Sequence, residues 1–264
     1  MKTLIFTDLD GTLLHPKTYS FAEAMPALDL IRERNIALIL CSSKTRAEVE
    51  EYRKRLENRD PFVVENGGAV FVPSGYFPFP TGGTRRGDYL VSELGKRYRE
   101  IRKELLSLRE KLGVRVKGFG DMSVEEVAGL TGLTLPEAAL AKEREFSEPF
   151  VFEGPTEPLF LREIEQQGLH WTQGRFYHLM GDHDKGRAIA FLKQWFGAGH
   201  DKLNTIGLGD ALNDLPLLKE VDHPVLVQNG EGGYDARIDL PGLIRANGIG
   251  PAGWNSAVLE LLRP

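Results

Sequence analysis

Asp8 and Asp10 stand two residues apart at the end of a short apolar run, Thr3 to Phe6, and are followed at once by Gly11 and Thr12. In an extended strand, residues two apart project to the same side, so both carboxylates reach one small space. Two such groups repel unless a cation or a shared proton relieves them. Gly11 lets the backbone turn away where a side chain would clash. The pattern suits a nucleophilic carboxylate beside an acid/base carboxylate, with a divalent metal between them. It equally suits a plain acidic turn, and five residues do not separate the two. Other groups able to do chemistry lie far along the chain: Ser42 and Ser43, Asn66-Gly67-Gly68, Lys185, and the run from Gly209-Asp210 to Asn213-Asp214.

The surrounding periodicity supplies the elements that must bring these residues together. Tyr19 to Asn35 has apolar residues at Ala24, Leu28 and Ile31, a helical spacing, with Pro26 early in it. Ile36 to Cys41 is a continuous apolar run that suits a strand buried on both faces. Thr45 to Leu56 reads as a charged helix, and Phe62 to Glu65 and Ala69 to Pro73 as two short strands around a glycine turn. After the Pro-, Gly- and aromatic-rich stretch Ser74 to Gly87, the spacing predicts a long helix from Asp88 to Gly113. A strand is expected at Val114 to Phe119. Two short helices, Ser123 to Thr131 and Thr134 to Lys142, each open with capping-box spacing. Phe150 to Glu153 and His170 to Leu179 read as strands, and Leu159 to Gln167 as a helix or strand.

From Asp184 the α/β rhythm returns: a helix from Lys185 to Phe196, and a strand at Thr205 to Leu208. A short helix over Asp214 to Glu220, interrupted by Pro216, a strand at His223 to Val227 and a helix over Gly253 to Leu262 complete it. The expectation is an α/β core of residues 1–82 and 179–264, with an α+β unit, 83–178, inserted into it. Ligands of open parallel sheets bind beyond the carboxyl ends of strands. Asp8 and Asp10, Ser42 and Ser43, Asn66, and Asp210, Asn213 and Asp214 all follow such strands directly. The insert leaves from the same rim and is placed to cover it.

Composition narrows the class further. The chain has 264 residues, 41% hydrophobic and 27% charged, with a formal net charge of -5. That balance belongs to an ordinary globular protein and argues against a nucleic-acid partner. Cys41 is the only cysteine, so no intrachain disulfide forms. The start MKTLIF lacks the long apolar segment of a signal peptide, and no run approaches membrane-spanning length. A soluble, cytoplasmic chain with no membrane partner and no obligate protein partner is expected. No GxxxxGK[ST] loop is present, which argues against a P-loop nucleotide-binding protein.

Asp8-Leu9-Asp10-Gly11-Thr12, a hydroxyl after the second strand, Asp184-Lys185-Gly186, and Gly207 to Asp214 occur in the order of the four motifs of the haloacid dehalogenase superfamily, which the chain resembles along its whole length. The inserted unit resembles the α/β cap of the Cof-like branch. The resemblance implies a Rossmann-like parallel-sheet haloacid dehalogenase core with an inserted α+β cap, and phosphoryl transfer through an aspartyl-phosphate.

Asp8 is then the nucleophile, and Asp10 protonates the leaving alcohol and deprotonates the attacking water. The resemblance implies that Asp10 meets the metal through its backbone carbonyl. Asp210 is a carboxylate ligand, and Asp214 a further ligand or a holder of metal-bound water. Hard oxygen ligands without Cys or His clustering suit Mg2+. Lys185 neutralises nucleophile and phosphate together. Alignment of Cys41-Ser42-Ser43-Lys44 with the Ala-Thr-Gly-Arg of Cof relatives favours Ser42 as the motif hydroxyl, whereas a strand one residue longer favours Ser43. Asn213 either bonds phosphate or orders its loop.

That departure at 41–46, and Gly174 to Met180, resemble a subgroup whose substrate carries a mannose, a glycerate carboxylate and a phosphate. A phosphorylated sugar derivative is therefore the expected small-molecule partner. Candidate substrate contacts are Ser43, Asn66, Gly67, Lys142, Arg144, Arg162, Gln173, Arg175, His178 and Asn213, with Glu148 also in reach. Trp171 and Phe176 can stack on a sugar or pack a core, and His178 can equally be structural. Three alternatives stay open: phosphatases of other sugar phosphates, a mutase that returns the phosphoryl group to a sugar, and a non-catalytic binding protein on the same fold.

Overall fold

The structure is a computed structural model, and it describes residues 1–198 and 202–263. The core begins with β1 (Lys2–Thr7), α1 (Met25–Glu33), β2 (Ala37–Cys41), α2 (Arg46–Arg55), β3 (Phe62–Val64), β4 (Ala69–Pro73), β5 (Thr84–Arg86) and β6 (Tyr89–Glu93). The inserted unit comprises α3 (Tyr98–Leu112), β7 (Val116–Gly118), α4 (Val124–Thr131), α5 (Leu135–Ala141), β8 (Ser147–Phe152), α6 (Pro158–Gln166), β9 (His170–Gln173) and β10 (Tyr177–Met180). The core resumes with α7 (Lys185–Gly197), β11 (Leu203–Gly209), α8 (Leu215–Lys219), β12 (His223–Gln228), β13 (Ile244–Ile249) and α9 (Pro251–Leu261).

Nine strands form the core sheet, in the order β13-β12-β11-β1-β2-β3-β4-β6-β5. From β13 to β3 every pairing is parallel, and the pairings beyond β3 are antiparallel. Alternation along β1 sends Ile5 to one face, with Leu28 of α1, Val49 of α2 and Trp254 of α9. Leu4 and Phe6 go to the other face, with Ile189 and Leu192 of α7 and Leu217 of α8. Helices on both faces explain why these strands read as unbroken apolar runs. β1 lies between β11 and β2, so the chain order reverses there, and the crevice beyond its carboxyl end is the expected ligand position.

The inserted unit is a four-stranded antiparallel sheet, β7-β8-β10-β9. One face carries Phe150 and Leu179, packed under Ile101, Leu105 and Leu108 of α3 and Phe160 and Ile164 of α6. Alternation turns His178 and its partner Pro149 to the opposite face. α4 and α5 form a separate small cluster around Phe119, Val127 and Ala138. Both helices open with the capping boxes expected of Ser123 with Glu126 and Thr134 with Glu137. No helix among the described residues is long and apolar enough to cross a membrane.

Three expectations are corrected, and one strand is added. Residues 84–93, assigned with the insert and partly to its long helix, are β5 and β6, paired in the core sheet to the free edge of β4. Gly95 follows them, and α3 starts only at Tyr98, since an exposed strand edge takes a partner before the helical spacing prevails. His170 to Leu179 is not one strand but the hairpin β9–β10, turned at Gly174-Arg175-Phe176. Pro216 lies in the first turn of α8, where its missing N–H costs nothing, so it starts that helix rather than interrupting it. β13, too mixed in sequence to stand out, pairs with β12 through an irregular register.

Candidate active site

Asp8 follows the last residue of β1 and is 3% exposed. Its backbone is braced from below: Trp254 Nε1 donates to Thr7 Oγ1 at 2.9 Å, and Thr7 Oγ1 donates to Asp8 O at 2.8 Å. Lys185, fully buried in the first turn of α7, donates to Asp8 Oδ1 at 2.5 Å and to Asp214 Oδ1 at 2.6 Å. Asp214 Oδ2 accepts the N–H groups of Asp210 and Ala211 at 3.0 and 3.1 Å, so this carboxylate ties Lys185 to the loop after β11. Burial pushes the Asp8 carboxyl up to about 7, Lys185 opposes that push, and Asp214 adds to it. Burial also works against the charge on Lys185, but Asp214 and Asp8 outweigh it and hold the ammonium above the usual lysine range.

Asp210 has one hydrogen-bonding side-chain partner, the Thr12 hydroxyl at 2.9 Å, and no cation partner among the described residues. Burial raises its carboxyl well above the ordinary value, and Asp214 and Asp8 add to the rise. Oxygens of Asp8, Asp210 and Asp214 lie within 4.8 Å of one another. Three carboxylates around a single ammonium leave uncompensated negative charge, and hard oxygen donors at this spacing fit a Mg2+ ion. Gly11 has φ +82, and a Cβ there would stand 2.5 Å from Asp210 Oδ2, so only glycine allows the turn so close to that carboxylate.

The Asp10 carboxylate is outside that cluster. Its Oδ2 is 2.9 Å from Lys44 Nζ, while Oδ1 is buried without a hydrogen-bond partner. Lys44 was not singled out from the sequence. It is 5% exposed, reaches Glu48 Oε1 at 3.3 Å, and lies over the rings of Tyr19 and Tyr52. Burial opposes its charge, but Asp10 and Glu48 outweigh that and hold the ammonium well above the usual lysine range. The available signal was its position, one residue beyond the paired serines at a strand end, where a buried ammonium needs an acid to face.

Ser42 is fully buried, and its Oγ accepts from Lys44 N at 3.2 Å; Ser43 is the more exposed of the two. Asn66 Oδ1 accepts from Asn213 Nδ2 at 3.2 Å, which leaves Asn66 Nδ2 buried and unpartnered. Gly67 has φ +99, and a Cβ would meet Asp184 O at 2.1 Å, so the backbone of this turn packs directly on the start of α7. The structure thus brings Asp8, Asp10, Ser42, Asn66, Lys185, Asp210, Asn213 and Asp214 to one rim of the sheet.

The remaining candidates are dispersed. Lys142 donates to Phe119 O at 2.6 Å and also to Met122 O. Arg175 donates to Thr131 O at 2.7 Å and Leu130 O at 3.0 Å at the end of α4, and to the Tyr19 hydroxyl at 3.2 Å. Arg144 is buried against Glu65, and Arg162 is exposed on α6. Glu148 accepts from Arg102 at 3.0 Å and Gly120 N–H at 2.9 Å. Gln173 accepts from Arg237 of the core at 2.9 Å, and a Cβ on Gly174 would stand 3.1 Å from Asn213 Oδ1, so the tip of the β9–β10 hairpin rests on the core beside the loop after β11. His178 is buried with Nδ1 unpartnered; burial, then Arg144 and Lys185, hold it well below its usual pKa and therefore neutral. Trp171 and Phe176 pack in the insert's own clusters.

A family model described as haloacid dehalogenase-like hydrolase matches residues 5–76. The glucosyl-3-phosphoglycerate/mannosyl-3-phosphoglycerate phosphatase of Methanococcoides burtonii is 46% identical over 266 residues, spanning 99% of this chain and 98% of its own. The mannosyl-3-phosphoglycerate phosphatase of Pyrococcus furiosus is 38% identical over 228 residues, 86% of this chain and 91% of its own. Among solved structures, a Thermoplasma acidophilum protein superimposes with a TM-score of 0.71 at 18% identity, covering 98% of both chains. The sucrose-phosphatase of Synechocystis, solved with sucrose and phosphate, does so with a TM-score of 0.65 at 14% identity, again over 98% of both. These two structures share the fold.

Proposed function

The chain belongs to the haloacid dehalogenase-like hydrolases, and from that premise we propose that it is a Mg2+-dependent phosphatase that releases phosphate from a glycosyl-3-phosphoglycerate, the mannosyl compound first. The observation that carries the chemistry is the unlike attachment of two neighbouring carboxylates. Asp8 is bonded to Lys185 through one oxygen, and Asp10 is held by Lys44 through Oδ2 with Oδ1 left free. The substrate class rests on relatives that match end to end.

Asp8 and Asp210, with Asp214 behind them, would hold a Mg2+ ion, which would supply positive charge to the phosphoryl oxygens. The free Oδ2 of Asp8 attacks phosphorus while Lys185 offsets charge on the other oxygen. As the ester P–O bond breaks, the alkoxide of the glycerate takes a proton from Asp10 Oδ1, leaving an aspartyl-phosphate on Asp8. Asp10 Oδ1 then accepts a proton from water as the water oxygen attacks phosphorus, and the Asp8 carboxylate is restored. Ser42 or Ser43 and Asn66 Nδ2 offer donors to phosphoryl oxygens. In the same reading, residues 98–180 form a cap that contacts the organic part and excludes water, and the protein is cytoplasmic.

Phosphate release measured with Mg2+ and with EDTA, over mannosyl- and glucosyl-3-phosphoglycerate, 3-phosphoglycerate, sucrose 6-phosphate and mannose 6-phosphate, tests both parts. Selective, metal-dependent release from the glycosyl-3-phosphoglycerates is expected. Equal release across all the hexose phosphates would overturn the substrate assignment and keep the chemistry.

A further inference from the structure

The loop carrying the two serine hydroxyls is held by a tether outside the reaction just described. Its three carbonyls are engaged in succession. Asn66 N–H donates to Ser42 O at 2.9 Å, and Glu65 N–H donates to Lys44 O at 3.0 Å. The middle carbonyl, Ser43 O, accepts from Arg144 Nη2 at 3.0 Å. The first two donors belong to the core. The third comes from the cap, just before β8.

Arg144 is itself fixed on several sides. Its Nε lies 3.2 Å from both Ser147 O and Glu65 Oε2, and its Nη2 donates to Ser147 Oγ at 2.5 Å. The Glu65 carboxylate accepts the N–H groups of Glu145, Phe146 and Ser147 at 2.7, 3.0 and 2.8 Å, and the Ser147 hydroxyl at 3.0 Å. Glu65 is fully buried and Arg144 is 8% exposed. Three consecutive residues, Glu65, Asn66 and Gly67, have φ of 48°, 57° and 99°. Left-handed backbone at non-glycine residues is strained and persists only where its surroundings over-determine it. Here it turns the Glu65 and Asn66 N–H groups back onto the serine loop and sends the Glu65 carboxylate across to the cap. Attachment alone does not call for charges, because apolar pairs replace buried ion pairs at little or no loss of stability. A guanidinium fork adds direction.

We propose that the Glu65–Arg144 pair is the device through which the seated cap fixes the backbone of residues 42–44, making Arg144 a positioning residue for the hydroxyls that receive the phosphoryl oxygens. The proposal rests on the reading of that loop as phosphoryl-binding. Arg144 touches neither substrate nor reacting atoms; it acts through Ser43 O. Cap seating and phosphoryl binding are thereby coupled, and an unseated cap leaves the loop with two of its three anchors.

The test compares Arg144→Lys and the paired apolar variant Glu65→Met with Arg144→Leu. Each is read by melting temperature, by kcat and KM on mannosyl-3-phosphoglycerate, and by inhibition with inorganic phosphate. Loss of the fork is expected to lower kcat about tenfold to a hundredfold and to weaken phosphate inhibition in both, with the paired variant also melting lower because Glu65→Met leaves three backbone N–H groups without their acceptor. Wild-type kcat and phosphate inhibition in a folded paired variant overturns the proposal, whatever happens to KM or to the melting temperature. If the paired variant does not fold, Arg144→Lys decides by the same two readouts. Failure of the functional reading is seen separately, as a wild-type enzyme that releases phosphate from none of the esters.

Discussion

On the core rim, Asp8, Lys185 and Asp214 hold one another at 2.5 and 2.6 Å, and Asp10 keeps one oxygen unpartnered beside them. On the cap, Lys142, Arg144 and Arg175 all point at backbone carbonyls of their own neighbourhood or of the adjoining loop. Both regions are rich in charge, yet one gathers it on a single rim shared by several strand ends and the other uses it to finish helix ends and turns. Cations at helix ends bond orphan carbonyls. A buried cation is therefore a poor guide to a ligand unless the carbonyls around it are already satisfied. Among the described residues the buried side-chain polar atoms left without a partner are few: Asp10 Oδ1 and Asn66 Nδ2 on the core rim, and Glu148 Oε2, His178 Nδ1 and His183 Nδ1 elsewhere.

Substitutions that break this contrast rank by how close they come to the carboxylate cluster of Asp8, Asp210 and Asp214. Asp8→Asn should abolish turnover, by about 10^4-fold or more, without unfolding the chain, since it removes the attacking oxygen. Chelation with EDTA should do nearly as much, and Asp210→Asn should raise the Mg2+ concentration needed for half-maximal phosphate release. Lys44→Met should lower kcat by about 10^2-fold, in the range of a misplaced general acid/base, and leave KM within about threefold. Unchanged kcat in that variant would show that Asp10 needs no holder.

The cap should respond more weakly. Arg175→Ala loosens Tyr19 and the end of α4, and should raise KM several-fold with kcat little changed. Arg162→Ala on the exposed face of α6 should leave both constants unaltered, and stability within about 0.5 kcal/mol. Equal losses in the two variants would erase the distinction between rim and surface.

The smallest effect is on stability against pH. His183, next to the second crossing between core and cap, is buried with one ring nitrogen 3.2 Å from Glu65 O. Burial lowers its pKa from 6.5 to about 4, against the pull of Glu65 O and Asp184. Its folded value lies below its unfolded one, so the unfolded chain binds more protons between these values, and stability is lost as pH falls from about 6.5 towards 4. Glu65, raised by burial in spite of Arg144, contributes with the opposite sign. The melting-temperature difference between wild type and His183→Gln across that window isolates the histidine. A difference that does not change with pH would show that His183 is not the group responsible.

Much of the core was legible because its signals are local and physical. Unbroken apolar runs gave β1, β2 and β11, and the carboxylates at their ends gave Asp8, Asp10 and Asp210. Ser123 with Glu126 and Thr134 with Glu137 marked two helix starts through their own hydrogen bonds. What escaped was decided at a distance. β5 and β6 are set by the open edge of β4, and β13 by its fit to β12. Lys44 gains its meaning from Asp10, thirty-four positions away, and its place just beyond the paired serines is the one sign of that meeting. Arg144 looks like a carboxylate binder until Glu65 is seen beneath it.

The most direct measurement asks which carboxylate carries the phosphoryl group. An aryl phosphate, whose leaving group needs no proton, is turned over by wild type and by Asp10→Asn, quenched, reduced with borohydride and read by mass spectrometry. Acyl phosphate at position 8 is reduced to homoserine there, and more of it should build up in Asp10→Asn, where water lacks its base. Homoserine at any other aspartate, or none in either protein while phosphate is being released, would contradict the assignment of Asp8 as nucleophile and Asp10 as its acid and base.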